Sequence, residues 1–446
     1  MKTTSTKKWH RAWAMYDWAN SAYSLVITST IFPAYYMAVT ATKDATGAIV
    51  NHEVSLWGFT FNNGALFDYS IATAYLLIAI LSPILSSIAD YKGNKKNFMQ
   101  FFCTMGALAC MGLFFFRKET VGWGLLCSTM AAVGYCGSLV FYNAYLPEIA
   151  TVNERDKLSA KGYSYGYIGS VLLQLVCLVL VLNAAHFADE SLPVRLSFLL
   201  VGIWWLGFGL IPFFVLPKGK PAEQHPEYNI LINGFYELKK VYAQVKKMPV
   251  LRSYLGAFFL YSMGVQTVML AATIFGSTEI KKQDGSLLGM QELITTILII
   301  QLVAILGAFL MAKVSSWLGN LKALLIVVLI WIGICVAAYF TTSDGEFYIL
   351  AAVVGLVMGG IQSLSRSTYS KLMPETSDTT SFFSFYDVTE KVAIVFGMFS
   401  FGLIHEMTGA MRNSILALIV FFALGGIALY MTIRKQRSYT LNENNA

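Results

Sequence analysis

Charge is what this chain has least of. Of its 446 residues only 13% are Asp, Glu, Lys or Arg, against roughly 25% in a soluble domain. That scarcity excludes a soluble globular protein, a disordered chain and a coiled coil. Cysteine is nearly as uninformative. The six cysteines, at 103, 110, 127, 136, 177 and 335, sit in apolar runs without a CxxC or Cys/His pattern, which excludes a disulfide scaffold and reads as small core residues. There is no P-loop, no H-x-x-x-H box and no Gly-x-Ser-x-Gly elbow, so neither an ATP-driven pump nor a common membrane enzyme is expected. No metal and no cofactor is implied.

What is abundant is apolar surface. Hydrophobic residues make up 56% of the chain and aromatic residues 14%. A bilayer core of about 30 Å needs about 20 apolar residues in helix. Twelve runs meet that length: 13–38, 64–89, 97–116, 121–146, 162–187, 195–216, 253–276, 289–312, 321–340, 346–369, 384–405 and 412–433. The second could begin earlier, at Trp57-Gly58-Phe59. No pattern of alternating polarity competes with these runs. The first is too long for a signal-peptide core and carries Asp17. The expected fold is an all-α membrane protein with twelve transmembrane helices.

The net charge of +7 could suggest a nucleic-acid partner, but the distribution says otherwise. With the N-terminus in the cytoplasm, inner segments hold 25 Lys and Arg and outer loops hold 7. This is the positive-inside bias. It places both termini in the cytoplasm and makes the lipid bilayer, not nucleic acid, the partner.

The longest polar interruption, 217–252, separates six spans (1–216) from six more and a short tail (253–446). It carries seven basic residues, and Asn229 to Lys247 reads as an amphipathic helix with Ile230, Phe235, Leu238 and Tyr242 on its apolar side. Such a helix is expected on the inner membrane surface, with a soluble partner as the alternative. The two halves echo each other. Ala89-Asp90-Tyr91-Lys92-Gly93-Asn94-Lys95-Lys96 follows span 2, and Ser316-Trp317-Leu318-Gly319-Asn320-Leu321-Lys322 follows span 8. Spans 4 and 10 end in Leu146-Pro147-Glu148 and Met373-Pro374-Glu375. Repeated halves with a binding site between them are a transporter architecture.

The turn at Asp90 resembles the signature of the major facilitator superfamily. Ser87 and Asp90 to Lys96 match it, with Ser86 in place of the usual Gly and Ser316 where the second copy would have an acid. Three stretches resemble one branch, the vacuolar amino-acid effluxer-like ("unknown major facilitator") family: Ala14-Met15-Tyr16-Asp17-Trp18-Ala19-Asn20-Ser21-Ala22-Tyr23, Gln362-Ser363-Leu364-Ser365-Arg366-Ser367, and Ser384-Phe385-Tyr386-Asp387-Val388-Thr389-Glu390-Lys391. The resemblance spans essentially the whole chain. It implies two pseudo-symmetric six-helix halves and alternating-access transport of amino acids or related small polar metabolites across a cell (inner) membrane. It also implies an Asp90 that holds the halves together when the site faces outward. Energy is expected from the solute gradient or a coupled ion, H⁺ rather than Na⁺, and the transporter is expected to be a monomer. Family members often carry an acid before the Gly of span 7. Here Tyr261-Ser262-Met263-Gly264 stands instead. A sugar or drug permease, a non-transporting receptor and a lipid scramblase are the alternatives.

Charges inside lipid are costly and face a partner or a wet cavity. That rule yields a gating or coupling set of Asp17, Asp90, Arg366, Asp387, Glu390 and Lys391. Asp387 and Lys391 are four apart, acid first, the favourable order for an intrahelical pair. Arg366 is expected to pair with Asp387 or Glu390. The candidate substrate contacts are Asn20, Ser24, Tyr135, Tyr142, Tyr261, Gln266 and Gln362. Asn20, Ser21, Ser24 and Thr28 form a polar stripe on span 1. Gly162, Gly166 and Gly169 in span 5 and Gly355 with Gly359 in span 10 read as helix-packing positions. The run Glu154 to Lys157 reads as a solvated loop.

Overall fold

The protein is described by a computed structural model covering residues 2–43, 49–51, 53–56, 58–219, 230–409 and 411–444. In chain order the elements are α1 (Lys2–Ala22), a π-helical segment (Tyr23–Ser29), α2 (Ile31–Thr40), β1 (Thr42–Lys43), β2 (Ile49–Asn51), β3 (Glu53–Leu56), β4 (Phe59–Asn62), α3 (Asn63–Lys92), α4 (Lys95–Gly112), α5 (Val121–Asn143), α6 (Leu146–Ile149), α7 (Arg155–Leu182), α8 (Leu192–Val215), α9 (Ile230–Lys247), α10 (Pro249–Glu279), α11 (Met290–Leu318), α12 (Asn320–Phe340), α13 (Asp344–Leu372), α14 (Thr379–Thr408) and α15 (Met411–Asn444). Eleven helical stretches among the described residues are long and apolar enough to cross a membrane, α1 to α2 counting as one. A twelfth is α10, bent by 46° between Pro249–Met269 and Ala271–Glu279. With twelve crossings, residue 2, α9 and residue 444 share one side, here named the linker side.

The buried apolar residues form two main clusters. One draws on residues 13–216 and the other on 241–429, joined by Ala144 and Tyr167. Outward faces are apolar as well. Leu172, Val176 and Val179 on α7, and Val392, Val395, Phe396, Phe399 and Leu403 on α14, are all exposed. Such stripes would be a liability in water. Hydrocarbon accepts them at no cost, since lipid tails are as apolar as leucine.

The two echoing turns share a backbone device. Gly93 (φ 61°) and Gly319 (φ 83°) both adopt a left-handed φ, which only glycine reaches without strain. Each reverses the chain within two residues, so α3 leads into α4 and α11 into α12.

Four expectations need correction. Trp57-Gly58-Phe59 does not extend the second span. Residues 53–56 and 59–62 pair as an antiparallel hairpin turning at Gly58 (φ 84°), while Trp57 itself lies outside the described residues. The first span is not one regular helix. It passes through the π segment and breaks at Thr30, whose Oγ1 donates to the carbonyl of Leu25 (2.7 Å) and to Gln174 Oε1 (3.0 Å). These bonds re-use polar groups that the break sets free. The fifth span starts at Arg155, seven residues before the apolar run, and Asp156 is buried rather than solvated. Finally, α9 forms, but its buried face is Val241 and Val245, and Tyr242 is 58% exposed. It packs on the ends of α3, α10 and α14. Asn229 and the side chains of Ile230 and Phe235 lie outside the described residues. All six cysteines are buried and free.

Candidate functional site

Arg366 projects from α13 into a socket built entirely by the first six spans. Its guanidinium pairs with Asp17 Oδ2 of α1 through both terminal nitrogens (3.2 and 3.3 Å). It also donates to Asn143 Oδ1 of α5 (3.2 Å), and to Ser159 Oγ and the Ser159 carbonyl of α7 (both 3.0 Å). The rings of Tyr163, Trp13 and Tyr142 lie 4.2, 4.7 and 5.5 Å from it. Removing one partner of a buried ion pair strands the other, at about 3–5 kcal/mol. The planar fork bonds several acceptors at once and stacks on the flanking rings, a geometry that the ammonium of Lys does not reproduce.

The socket is itself held. Tyr142 donates its hydroxyl to Asp17 Oδ2 (2.7 Å). Trp13 stacks on Tyr142 at 4.4 Å and donates Nε1–H to its carbonyl (3.0 Å). Gly162 leaves the space, since a Cβ there would lie 2.3 Å from Asp17 Oδ2. The expected pairing of Arg366 with Asp387 or Glu390 is therefore replaced by Asp17. The reason is topological: α13 packs on α7 and α11, whereas α14 packs on α3 and α10.

Two further contacts join the halves on the linker side. Asp90, at the end of α3, accepts from the first turn of α14: Thr380 N–H (3.1 Å), Ser381 N–H (2.7 Å) and Ser381 Oγ (2.8 Å). Those amides are the unsatisfied donors at a helix N-terminus, where negative charge is favoured. Beside it, Lys95 pairs with Glu148, which also accepts from Thr379 Oγ1 (2.7 Å). In the second contact the acid again comes from the first half, but from the start of a helix and not the end of one. Asp156, at the start of α7, accepts from Ser315 Oγ (3.1 Å), Asn320 Nδ2 (2.7 Å) and Lys371 Nζ (2.5 Å). Ser315, not Ser316, faces the other half; Ser316 is exposed and bonds back to Lys313.

A third group lies on α14. Lys391 Nζ sits 3.2 Å from Asp387 Oδ1 and 3.7 Å from Glu390 Oε2, 5.7 Å from the centre of the Tyr75 ring. Gln266 of α10 donates to Glu390 Oε1 (2.9 Å). The i,i+4 pair foreseen from spacing is present. Two carboxylates share one ammonium, whereas Asp17 and Arg366 balance.

The other polar candidates divide. Gln362 reaches across the halves, accepting from Tyr167 Oη (2.7 Å). Ser24 and Tyr135 are half-buried, the Tyr135 ring packing tilted at 4.9 Å from that of Tyr23. Asn20 is buried and its amide nitrogen has no partner. Tyr142 belongs to the Arg366 socket. Tyr261 is buried within its own half, its hydroxyl on Ser365 Oγ (2.7 Å), so neither tyrosine is free for a solute. Trp13, Asp156, Ser159, Tyr163 and Lys371 were not singled out from sequence. A signal did exist: Asp156, Ser159, Tyr163 and Gly166 recur at three to four residues, one continuous helix face.

Known proteins resemble the chain in both sequence and fold. It is 32% identical over 432 residues to an uncharacterized MFS-type transporter, YxiO, of Bacillus subtilis strain 168, covering 95% of this chain and 94% of that one. It is 25% identical over 484 residues to autophagy-related protein 22 of Coccidioides immitis, covering 91% and 78%. In fold it matches the fucose:proton symporter FucP of E. coli (TM-score 0.67, 14% identity, 97% and 99% covered) and the human organic anion transporter MFSD10 (TM-score 0.68, 12% identity, 96% and 99% covered). The description "Vacuole effluxer Atg22 like" matches residues 5–440. The chain is a transporter of the major facilitator superfamily and belongs to the Atg22-like vacuole effluxer family.

Proposed function

We propose that this protein is a secondary transporter that moves a small polar solute, an amino acid or a related metabolite, across the cell membrane by alternating access. The linker side faces the cytoplasm, as the 25-to-7 bias of basic residues requires. The observation that carries the reading is the Arg366 socket. One half supplies the guanidinium and the other supplies every group that binds it. Such a plug holds while the halves are together and has no partner once they part, which is the behaviour of a gate. Asp90 and Asp156 add contacts on the same side, which supports a solute site that opens to the opposite side when these contacts are made. Ser24, Tyr135, Gln266 and Gln362, with Asn20, are the proposed solute contacts; the bond of Gln362 to Tyr167 of the other half supports this for Gln362. H⁺ supplies the energy, with Glu390 carrying the proton, because the α14 group holds one carboxylate more than it holds cations. The transporter works as a monomer.

Reconstituted protein, assayed by uptake and counterflow with amino acids, sugars and peptides, tests this. Counterflow of one or more amino acids is the expected result. Movement of a sugar or a drug alone would redirect the reading to another permease of the same fold. Absence of any flux from folded protein would remove transport of small solutes and leave a receptor or a scramblase.

A further inference from the structure

We propose that Glu390, together with the unpaired oxygen of Asp387, is the seat for an ammonium group on the transported solute, so that solute and proton compete for one site. The proposal rests on the reading of the chain as a proton-coupled transporter and narrows its substrate to primary amines.

Charge and geometry carry it. Asp387 is buried, its Oδ1 holds Lys391, and its Oδ2 has no hydrogen-bond partner. A buried anionic oxygen without a donor is costly, and a primary ammonium supplies three donors. Glu390 has spare capacity too. Its side chain is 25% exposed, against 9% for Asp387 and for Lys391. That exposure is not toward lipid. At 3.6 residues per turn, Glu390 lies between about 120° and 180° around α14 from the exposed stripe of Val392, Val395, Phe396, Phe399 and Leu403. The ionisable groups near it come from both halves: Tyr75 of α3, Cys136 of α5, Tyr163 of α7 and Tyr261 of α10, with Tyr386, Asp387 and Lys391 on α14 itself. None of the four from other helices carries a charge at neutral pH. Glu390 therefore points away from the lipid-facing stripe, in a surround whose one cation, Lys391, it shares with Asp387.

Lys391 shows what such a surround selects. It is a primary ammonium held by two carboxylates and set against the Tyr75 ring, the combination that binds amines. A solute ammonium entering beside it meets Glu390 as an anion only after the proton has left. The exchange balances: the protonated carboxyl gives up H⁺, and the carboxylate accepts R–NH₃⁺ through N–H···O bonds, with no covalent bond formed to the amine. Asp17 cannot play this part, because Arg366 and Tyr142 already occupy its Oδ2.

The test uses full-length protein in proteoliposomes, with leucine, lysine, isocaproate (leucine without its amino group) and glucose as probes. Counterflow of leucine or lysine is expected, with the apparent KM rising as pH falls from about 8 to 5.5 and the maximal rate unchanged, the signature of competition with H⁺. Glu390→Gln should raise that KM by at least tenfold, and Asp387→Asn should raise it less. Isocaproate and glucose should not compete. A KM that stays flat across that pH range in the wild-type protein, or isocaproate competing as well as leucine, overturns the amine seat while transport stands. Flux of glucose with none of leucine or lysine overturns both the seat and the amino-acid reading. The wild-type pH series needs no variant, so a misfolded Glu390→Gln protein does not rescue the idea.

Discussion

Arg366 and Asp17 meet at 3.2 Å although 349 residues separate them in the chain. Each is buried, and each is the other's only ionic partner among the described residues. The pair has a definite energetic meaning. While the halves are closed on the linker side it is satisfied; when they separate, both charges must find water. Breaking it from one side should move the balance between the two states. With Arg366→Ala, Asp17 loses its ionic partner and keeps only the Tyr142 hydroxyl, at about 3–5 kcal/mol for a buried pair. The linker-open state should gain population in proportion. A cysteine placed at Ser82, buried 3.1 Å from Ser384 Oγ of the other half, should then label with a membrane-impermeant maleimide from the linker side. Arg366→Lys should fall between, since it keeps the charge and loses the fork. Labelling equal to that of the parent protein would refute the gate.

Gly162→Ala tests the same gate without touching a charge. The added Cβ would stand 2.3 Å from Asp17 Oδ2 and 3.0 Å from Arg366 Nη2. Overpacking of that kind costs about 1–3 kcal/mol, and it acts only where α1, α7 and α13 meet. Increased labelling at the Ser82 reporter, smaller than in Arg366→Ala, is the expected outcome. Gly402, where an added Cβ would meet nothing within 4 Å, provides the control, and Gly402→Ala should leave the labelling unchanged.

The spans were legible because a bilayer demands long apolar runs, and that demand is written locally. The Asp387–Lys391 pair was legible for the same reason, since its spacing alone brings the two together. Asp17–Arg366 was not. Hydropathy says that a residue is in a span, but not which neighbour its face meets, and that depends on how twelve helices are arranged. Sequence distance also hid Asp156. Its run, Glu154 to Lys157, is too polar to be counted as a span, yet a helix end at an interface between halves can bury a charge that has three donors. The hairpin β3–β4 escaped because Trp57 and Phe59 look like the start of the apolar helix that follows.

Asp90→Asn should weaken the closed state by about 1–2 kcal/mol, within the range for a charge at a partly buried helix terminus. Asparagine keeps one oxygen for Ser381 but loses the negative charge that faces the α14 amides. Asp90→Glu should restore part of the effect only if its longer side chain reaches Thr380 and Ser381. The check is a disulfide between cysteines at Ser82 and Ser384, whose oxygens are 3.1 Å apart. It should form readily in the parent protein and more slowly in Asp90→Asn. Equal rates in the two would show that the Asp90 contact does not hold the halves together.

Asp156 and Lys371 provide the last test, because their contact sets a second acid of the first half against donors of the second half. If Asp156, Lys371, Asn320 and Ser315 act as one latch, removing two members should cost no more than removing the costlier one. Asp156→Ala strands a lysine whose side chain is 21% exposed, and Lys371→Ala strands a more deeply buried carboxylate. Lys371→Ala should therefore open the linker side more than a surface charge change would, while Asn320 and Ser315 still hold the acid. The double variant should match the stronger single within about 0.5 kcal/mol, as read from labelling at the Ser82 reporter, giving a coupling energy of about 0.5–3 kcal/mol. Strictly additive effects would mean that Asp156 supports the start of α7 alone, and that the linker side is held shut by Arg366 and Asp90.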